Sequence, residues 1–314
     1  RRGIAAASGL ENGLPSSPTY ATRSASLPQG TPYGWIVGGS PGNITSFERI
    51  DYDNDTATTS TRGALSGAKP YGAGVGNLSY AYIGGGYYGG NLSTIDRIDY
   101  SNDNTTAPAK GPLSLARRAP SAAGNADYGY FGGGNIPSPA TVYTTVDRVD
   151  YSNDTATAAA KGPLTIARTT FGATGNQSYG YFCCCSYYPG PENSSVDRVD
   201  YSNDTATAVA KGPLTVARGY LGFGAAGNSS YGYISAGFKY PPGTRYSTVE
   251  RIDYSNDTPT AVAKGPMSAE ITGPGEVSSA SYGYFAGGAQ PAGRSTVDRL
   301  DYASDTTACA TKGP

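Results

Sequence analysis

The chain has 314 residues, with 23 Lys plus Arg against 24 Asp plus Glu, a balance that offers no electrostatic footing for nucleic acid or an anionic membrane. His is absent, which removes the commonest general base and neutral metal ligand, and no apolar run approaches the roughly 20 residues of a membrane helix. Gly (45), Pro (22) and Tyr (27) are abundant and recur at fixed places, the mark of an ordered repeat rather than a disordered chain.

The opening "RRGIAAASG" aligns with "RRAPSAAGN" at 117–125, so a first strand is expected to start at Arg1. The absence of Met and of a signal-like segment suggests a processed chain or a piece of a longer one. Residues 10–31 are Pro- and Ser-rich and read as an insertion between the first two strands, on the face opposite the later loops. "YGWIVGG" follows as a second strand ending in a glycine pair, and related "SYGYF" text recurs ahead of Gly84, Gly132 and Gly287.

An acidic-Arg-aliphatic-Asp-Tyr block then appears six times, at 48–52, 96–100, 147–151, 197–201, 250–254 and 298–302. "KGP" keeps step at 110, 161, 211, 264 and 312. Repeats of about 50 residues are expected at 1–66, 67–114, 115–165, 166–215, 216–267 and 268–314, together one domain. Within 216–267 the text predicts four strands, "YLGFGAAG", "YGYISAG", "TVERIDY" and "TPTAVAKG", separated by turn residues. No segment has a helical period with caps. Four short strands per unit, six times over, predict an all-β, six-bladed propeller with four antiparallel strands per blade.

The order of Arg, strand, glycine-pair strand, aliphatic-acidic-x-aliphatic-x-Tyr strand and Thr-bearing last strand resembles the kelch repeat over nearly the whole chain. The Arg ahead of the first strand stands at Arg117, Arg168 and Arg218. One departure is that kelch repeats usually carry a Trp in the fourth strand, where this chain reads "TATA"; its single Trp, Trp35, lies in a second strand. Units reading "DRVDYSNDTATA…KGPL" also resemble the kelch-like repeats of virion structural proteins of aquatic tailed phages, which implies a structural role in an extracellular particle.

Strand alternation puts Val146, Arg148 and Asp150 on one face and Asp147, Val149 and Tyr151 on the other. Arg49, Arg97, Arg148, Arg198, Arg251 and Arg299 are therefore expected to be largely enclosed between blades and held by flanking carboxylates of their own or the next blade as six structural ion pairs. The "SND" turns read as hydrogen-bonded turn chemistry, short of the ligand number calcium needs. Twelve of the 24 acids lie in the strand motif and six in the turns, and the remaining six are scattered, so no carboxylate pair for glycoside hydrolysis stands out. Neither an enzyme, a cofactor nor a metal is expected. Cys183, Cys184 and Cys185 stand where other units have Gly or Ala, and alternate side-chain directions make them poor joint ligands.

The segments between second and third strands do not repeat, and they should all emerge on one face of the disc. They carry Tyr87, Tyr88, Tyr143, Tyr187, Tyr188, Phe238, Lys239, Tyr240, Arg245 and Tyr246, an adaptable contact surface for protein or sugar. Expected partners are other structural proteins of the same assembly, or a host-surface receptor or glycan, met by many copies. Eleven Asn-x-Ser/Thr sites include Asn54, Asn153, Asn203 and Asn256 in the turns; in a secreted surface glycoprotein, the alternative reading, these would carry glycans.

Overall fold

The computed structural model describes residues 32–37, 44–185, 192–219, 225–239, 243–290 and 292–314. Period-two patterning in short Val-, Ile- and Tyr-rich runs, cut by Gly, Asn and Asp turns, yields strands and a few single-turn 3-10 segments. The strands form six blades. Blade 2 runs through Ala73–Gly76, Tyr80–Gly84, Ile95–Asp99 and Ala109–Lys110, all antiparallel. Blade 3 repeats the plan with Ser121–Gly124, Tyr128–Gly132, Val146–Asp150 and Ala159–Lys161. Blade 4 uses Gly172–Gly175, Tyr179–Cys185, Asn193–Asp200 and Val209–Lys211. Blade 5 uses Ala226–Gly227, Tyr231–Ser235, Val249–Asp253 and Val262–Lys264. Blade 6 uses Gly275–Ser278, Tyr282–Ala286, Val297–Asp301 and Ala310–Lys312. In blade 1 the described strands are Tyr33–Val37, Ser46–Asp51 and Ser60–Ala64. The strand expected at Arg1 and the insertion at 10–31 lie outside the described residues.

First strands are buried along their length and last strands are mostly exposed, so each blade runs from the hub to the rim. The core is a series of apolar layers between neighbouring blades. Between blades 3 and 4, Tyr130, Val146, Phe171, Phe182 and Val199 share one cluster; between blades 6 and 1, Ile50, Val277 and Tyr284 share another. That last layer closes the ring.

One polar joint recurs at every blade boundary. In blade 3 the Tyr130 hydroxyl and Arg148 both donate to Asp204 in the turn of blade 4, at 3.0 and 2.8 Å, and Lys161 lies 3.2 Å from the other carboxylate oxygen. Tyr82, Arg97 and Lys110 meet Asp154 in the same way. Tyr181, Arg198 and Lys211 meet Asp257, and Tyr233, Arg251 and Lys264 meet Asp305. Tyr284, Arg299 and Lys312 meet Asp55 across the closure. Blade 1 makes the same joint with other residues: Trp35 Nε1 and Arg62 stand in for Tyr and Lys beside Arg49, all on Asp103. Each arginine also lies over a tyrosine of its own blade, at 4.0–4.4 Å from the ring centroid.

The carboxylate that holds each arginine comes from the turn of the next blade, one of the two sources the sequence left open, and the arginine side chains are largely enclosed, at 20–25% exposure.

Candidate functional site

The chain descends each first strand, rises through the second, and descends the third. The segments joining second to third strands therefore share a face with the segments that enter the next blade, and isolated bridges lock the two sets together. Arg118 pairs with Asn135, Gly219 with Phe238, Tyr246 with Ile271, and Thr272 with Ala289. Three of the loops fold into short hairpins, Asn135–Pro137 with Ala140–Val142, Phe238–Lys239 with Thr244–Arg245, and Ala289–Gln290 with Ala292–Gly293.

A buried brace supports this face. Arg117 Nη1 donates to Asp147 at 2.7 Å while its Nε and Nη2 donate to the carbonyls of Gly133 and Phe131. Asp147 also accepts from the backbone and hydroxyl of Ser114. Arg168 with Asp197, Arg218 with Glu250 and Lys69 with Asp96 repeat the brace in blades 4, 5 and 2. In blade 6 the cation's place, seven residues after the Lys of the "KGP" motif, is taken by Ile271. Asp298 is 3% exposed and is held by Ser268, with Oδ1 left without a partner among the described residues. Asp147→Asn is therefore expected to cost about 3 kcal/mol, since it strips the charge from a fully buried pair, whereas Asp298→Asn removes an uncompensated charge and should be neutral or stabilising. Chemical denaturation of the two variants checks this; equal losses would refute the distinction.

The loop residues singled out in the sequence fall into three groups. Tyr87 and Tyr88 are exposed, at 37% and 55%, on a tight loop closed by Gly89, and Lys239 is exposed on the blade 5 hairpin. Tyr143, Arg245 and Tyr246 are half-buried. Phe238, expected at the contact surface, is instead buried, with Arg245 5.6 Å from its ring centroid, so it anchors its hairpin. Tyr187, Tyr188 and Tyr240 lie outside the described residues. Sequence reasoning overlooked Arg118, whose guanidinium lies 5.6 Å from the ring centroids of both Tyr71 and Tyr87. It sits in an entrance segment, which shares this face, and a bridge ties it to Asn135 of the loop between second and third strands.

The cysteine run has a packing explanation. Cys184 has φ of 61°, the left-handed conformation that Gly85, Gly133 and Gly287 adopt at the equivalent places. Cys183 is fully buried in the layer with Ile234, and burial pushes its thiol well above the ordinary range. No group of His, Cys, Asp and Glu suited to a metal occurs among the described residues.

The opposite face carries the turns. Asn54, Asn153, Asn203 and Asn256 are exposed there, each directly before a buried aspartate of the polar joints. Asp150, at the end of the third strand, accepts from the backbone and hydroxyl of Ser152 and so serves the turn, whereas the "SND" carboxylate Asp154 serves the joint. A hollow of about 350 Å³ between blades 2 and 3 is lined by Asn77, Tyr80, Asp127, Tyr128, Asp150 and Ser152.

No protein-family profile matches the chain, and no curated protein matches it. Among solved structures, the one described as "Structure of YjhT" is similar, with a TM-score of 0.72 at 11% identity, over 96% of this chain and 99% of that one. The likeness is one of fold: a six-bladed β-propeller.

Proposed function

We propose that the protein is a non-enzymatic interaction module of the kelch type, a rigid disc whose loop face contacts protein or carbohydrate within an extracellular assembly such as a phage virion or fibre. One observation carries this reading. The residues repeated in every blade are used in the joints, turns and braces of the frame, whereas the exposed aromatics of the loop face differ from blade to blade. A displayed Tyr87–Tyr88 tip on a braced loop offers contact area at low entropic cost. The carboxylates a hydrolase would need are engaged in turns and ion pairs, which supports a binding role over a catalytic one. The reading needs no cofactor and implies many copies facing structural proteins of the same assembly or a host-surface receptor or glycan.

The test is a Tyr87→Ser/Tyr88→Ser variant, compared with the parent protein for binding to host cells, to a glycan array and to the other proteins of the parent particle. The variant is expected to lose binding while its melting temperature stays within about 2 °C. Unchanged binding on all three surfaces would overturn the reading.

The exposure of Asn153 and Asn203 at turn tips favours one alternative, a secreted surface glycoprotein with an adhesive or matrix role. Peptide mass spectrometry separates the two: hexose-bearing peptides at these turns support the glycoprotein, and bare asparagines support the particle component.

A further inference from the structure

Most cations of the frame are held by carboxylates. Of the 23 Lys and Arg, Arg1, Arg2 and Arg23 lie outside the described residues, which leaves 20. Sixteen of these form ion pairs with Asp or Glu. The four that remain are Arg118, Lys239, Arg245 and Arg294. All four lie on the loop face: Arg118 is in an entrance segment, Lys239 and Arg245 are on the blade 5 hairpin, and Arg294 is on the loop of blade 6. The Arg294 guanidinium donates to the Thr296 hydroxyl. Arg118 and Arg245 have aromatic rings within 5.6 Å and no carboxylate among the described residues.

We infer that the loop face docks an acidic protein surface, with these four cations taking carboxylates from the partner. This rests on the proposed binding role of that face and names the chemistry of what it binds. A cation with no partner carboxylate among the described residues, set beside an exposed tyrosine, is the composition of an interface anchor. Tyr87 beside Arg118 and the exposed Tyr88 next to it supply that pairing at the seam of blades 2 and 3. Spacing decides between polyanions. The cations are spread over blades 3, 5 and 6, only Lys239 and Arg245 sharing a hairpin, rather than set in one strip, which suits carboxylates spread over a folded surface and not the dense charge of a sulfated glycan or a nucleic acid. Glu270 is an exposed acid near this face and repels the same partner.

The probe is a dye-labelled oligoglutamate peptide, read by fluorescence anisotropy against oligolysine of equal length and a heparin-type oligosaccharide. The parent protein is expected to bind oligoglutamate in preference to both, and more weakly as salt rises. Combining Arg118→Gln, Lys239→Gln, Arg245→Gln and Arg294→Gln should weaken binding by about tenfold or more. Glu270→Gln should tighten it. Should the fourfold variant fold poorly, the pair Arg118→Gln and Lys239→Gln serves, with a loss of about threefold. Absent oligoglutamate binding, equal binding by the variants, or stronger binding to the sulfated oligosaccharide would overturn the inference. If the neutralised variants still bind the native partner that the Tyr87/Tyr88 variant loses, this inference falls and the binding role stands.

Discussion

Replacing Asp257 with alanine is expected to destabilise the fold by about 3 kcal/mol, a fall of roughly 6–12 °C in melting temperature. The reason is the number of groups that depend on one carboxylate. Arg198 and Tyr181 each donate to it at 2.8 Å, and Lys211 lies 2.9 Å away, so three donors from blade 4 lose their acceptor at once. The cost sits at the low end of the range for broken buried pairs because Arg198 keeps 22% exposure and Lys211 13%, enough for partial rehydration. Asp253→Ala is the control. Asp253 serves its own turn, accepting from Ser255, and its loss should cost about 1 kcal/mol. Urea denaturation of both variants decides the matter: if the two cost the same, Asp257 is not the keystone of the joint.

The same residue sets an acid dependence. Burial alone would push the Asp257 carboxyl up, but hydrogen bonds from Lys211 and Tyr181 and the charge of Arg198 outweigh it and hold the group below the usual carboxylate range. Asp103 and Asp305 are lowered in the same manner. A lowered folded value means that the stabilisation is fully present above the unfolded value of about 4 and fades as pH falls through the folded one. The parent protein should therefore lose melting temperature below about pH 4, and Asp257→Ala should lose less over the same range.

Gly162→Ala is expected to be at least as damaging, about 3–5 kcal/mol, although it adds only a methyl group. The backbone of Gly162 donates to the carbonyl of Asp204 at 2.8 Å, which draws the outer strand of blade 3 against the turn of blade 4. A Cβ at this position would collide with the carbonyl of Ala206, a backbone atom that cannot swing aside. Gly111, Gly212 and Gly265 face the same obstruction at their own boundaries. The variant should open the seam between blades 3 and 4, with raised hydrogen exchange at Ala206 and Gly162 ahead of the rest of the chain. Gly90 has open space around its missing Cβ, and Gly90→Ala should leave stability nearly unchanged. Parity between the two variants would refute the steric account.

Most of the architecture was legible in the residues because a propeller writes its plan six times. The strand read in "VDRVDY" is found at Val146–Asp150, and "TVERIDY" holds Val249–Asp253. Last strands were overextended: "TPTAVAKG" forms a strand only over Val262–Lys264, since its first half is part of the turn that meets the neighbouring blade. The arginine partners were left open between a blade and its neighbour, because Arg148 and Asp204 are 56 residues apart and no window of one repeat contains both. The glycine of "KGP" carried no visible reason, because its neighbour is a backbone carbonyl of another unit. The loop face was least legible. Phe238 and Lys239 are adjacent letters of similar promise, yet one is buried and the other exposed, a difference set by the hairpin register.

The joint between blades also bears on how such a chain comes to have six units. Five of the six boundaries use the same Tyr, Arg and Lys on an Asp, the boundary that joins the last blade to the first among them, and the joint on Asp103 varies it with Trp35 and Arg62. A unit copied in or lost by duplication would meet its neighbours with matching chemistry on both sides. Side-chain recognition therefore does not count the blades; the wedge angle of each blade does, since only a full turn brings Tyr284 to Asp55. Length variation in such a lineage would then come in whole units, with loop content inherited blade by blade as separate heritable parts.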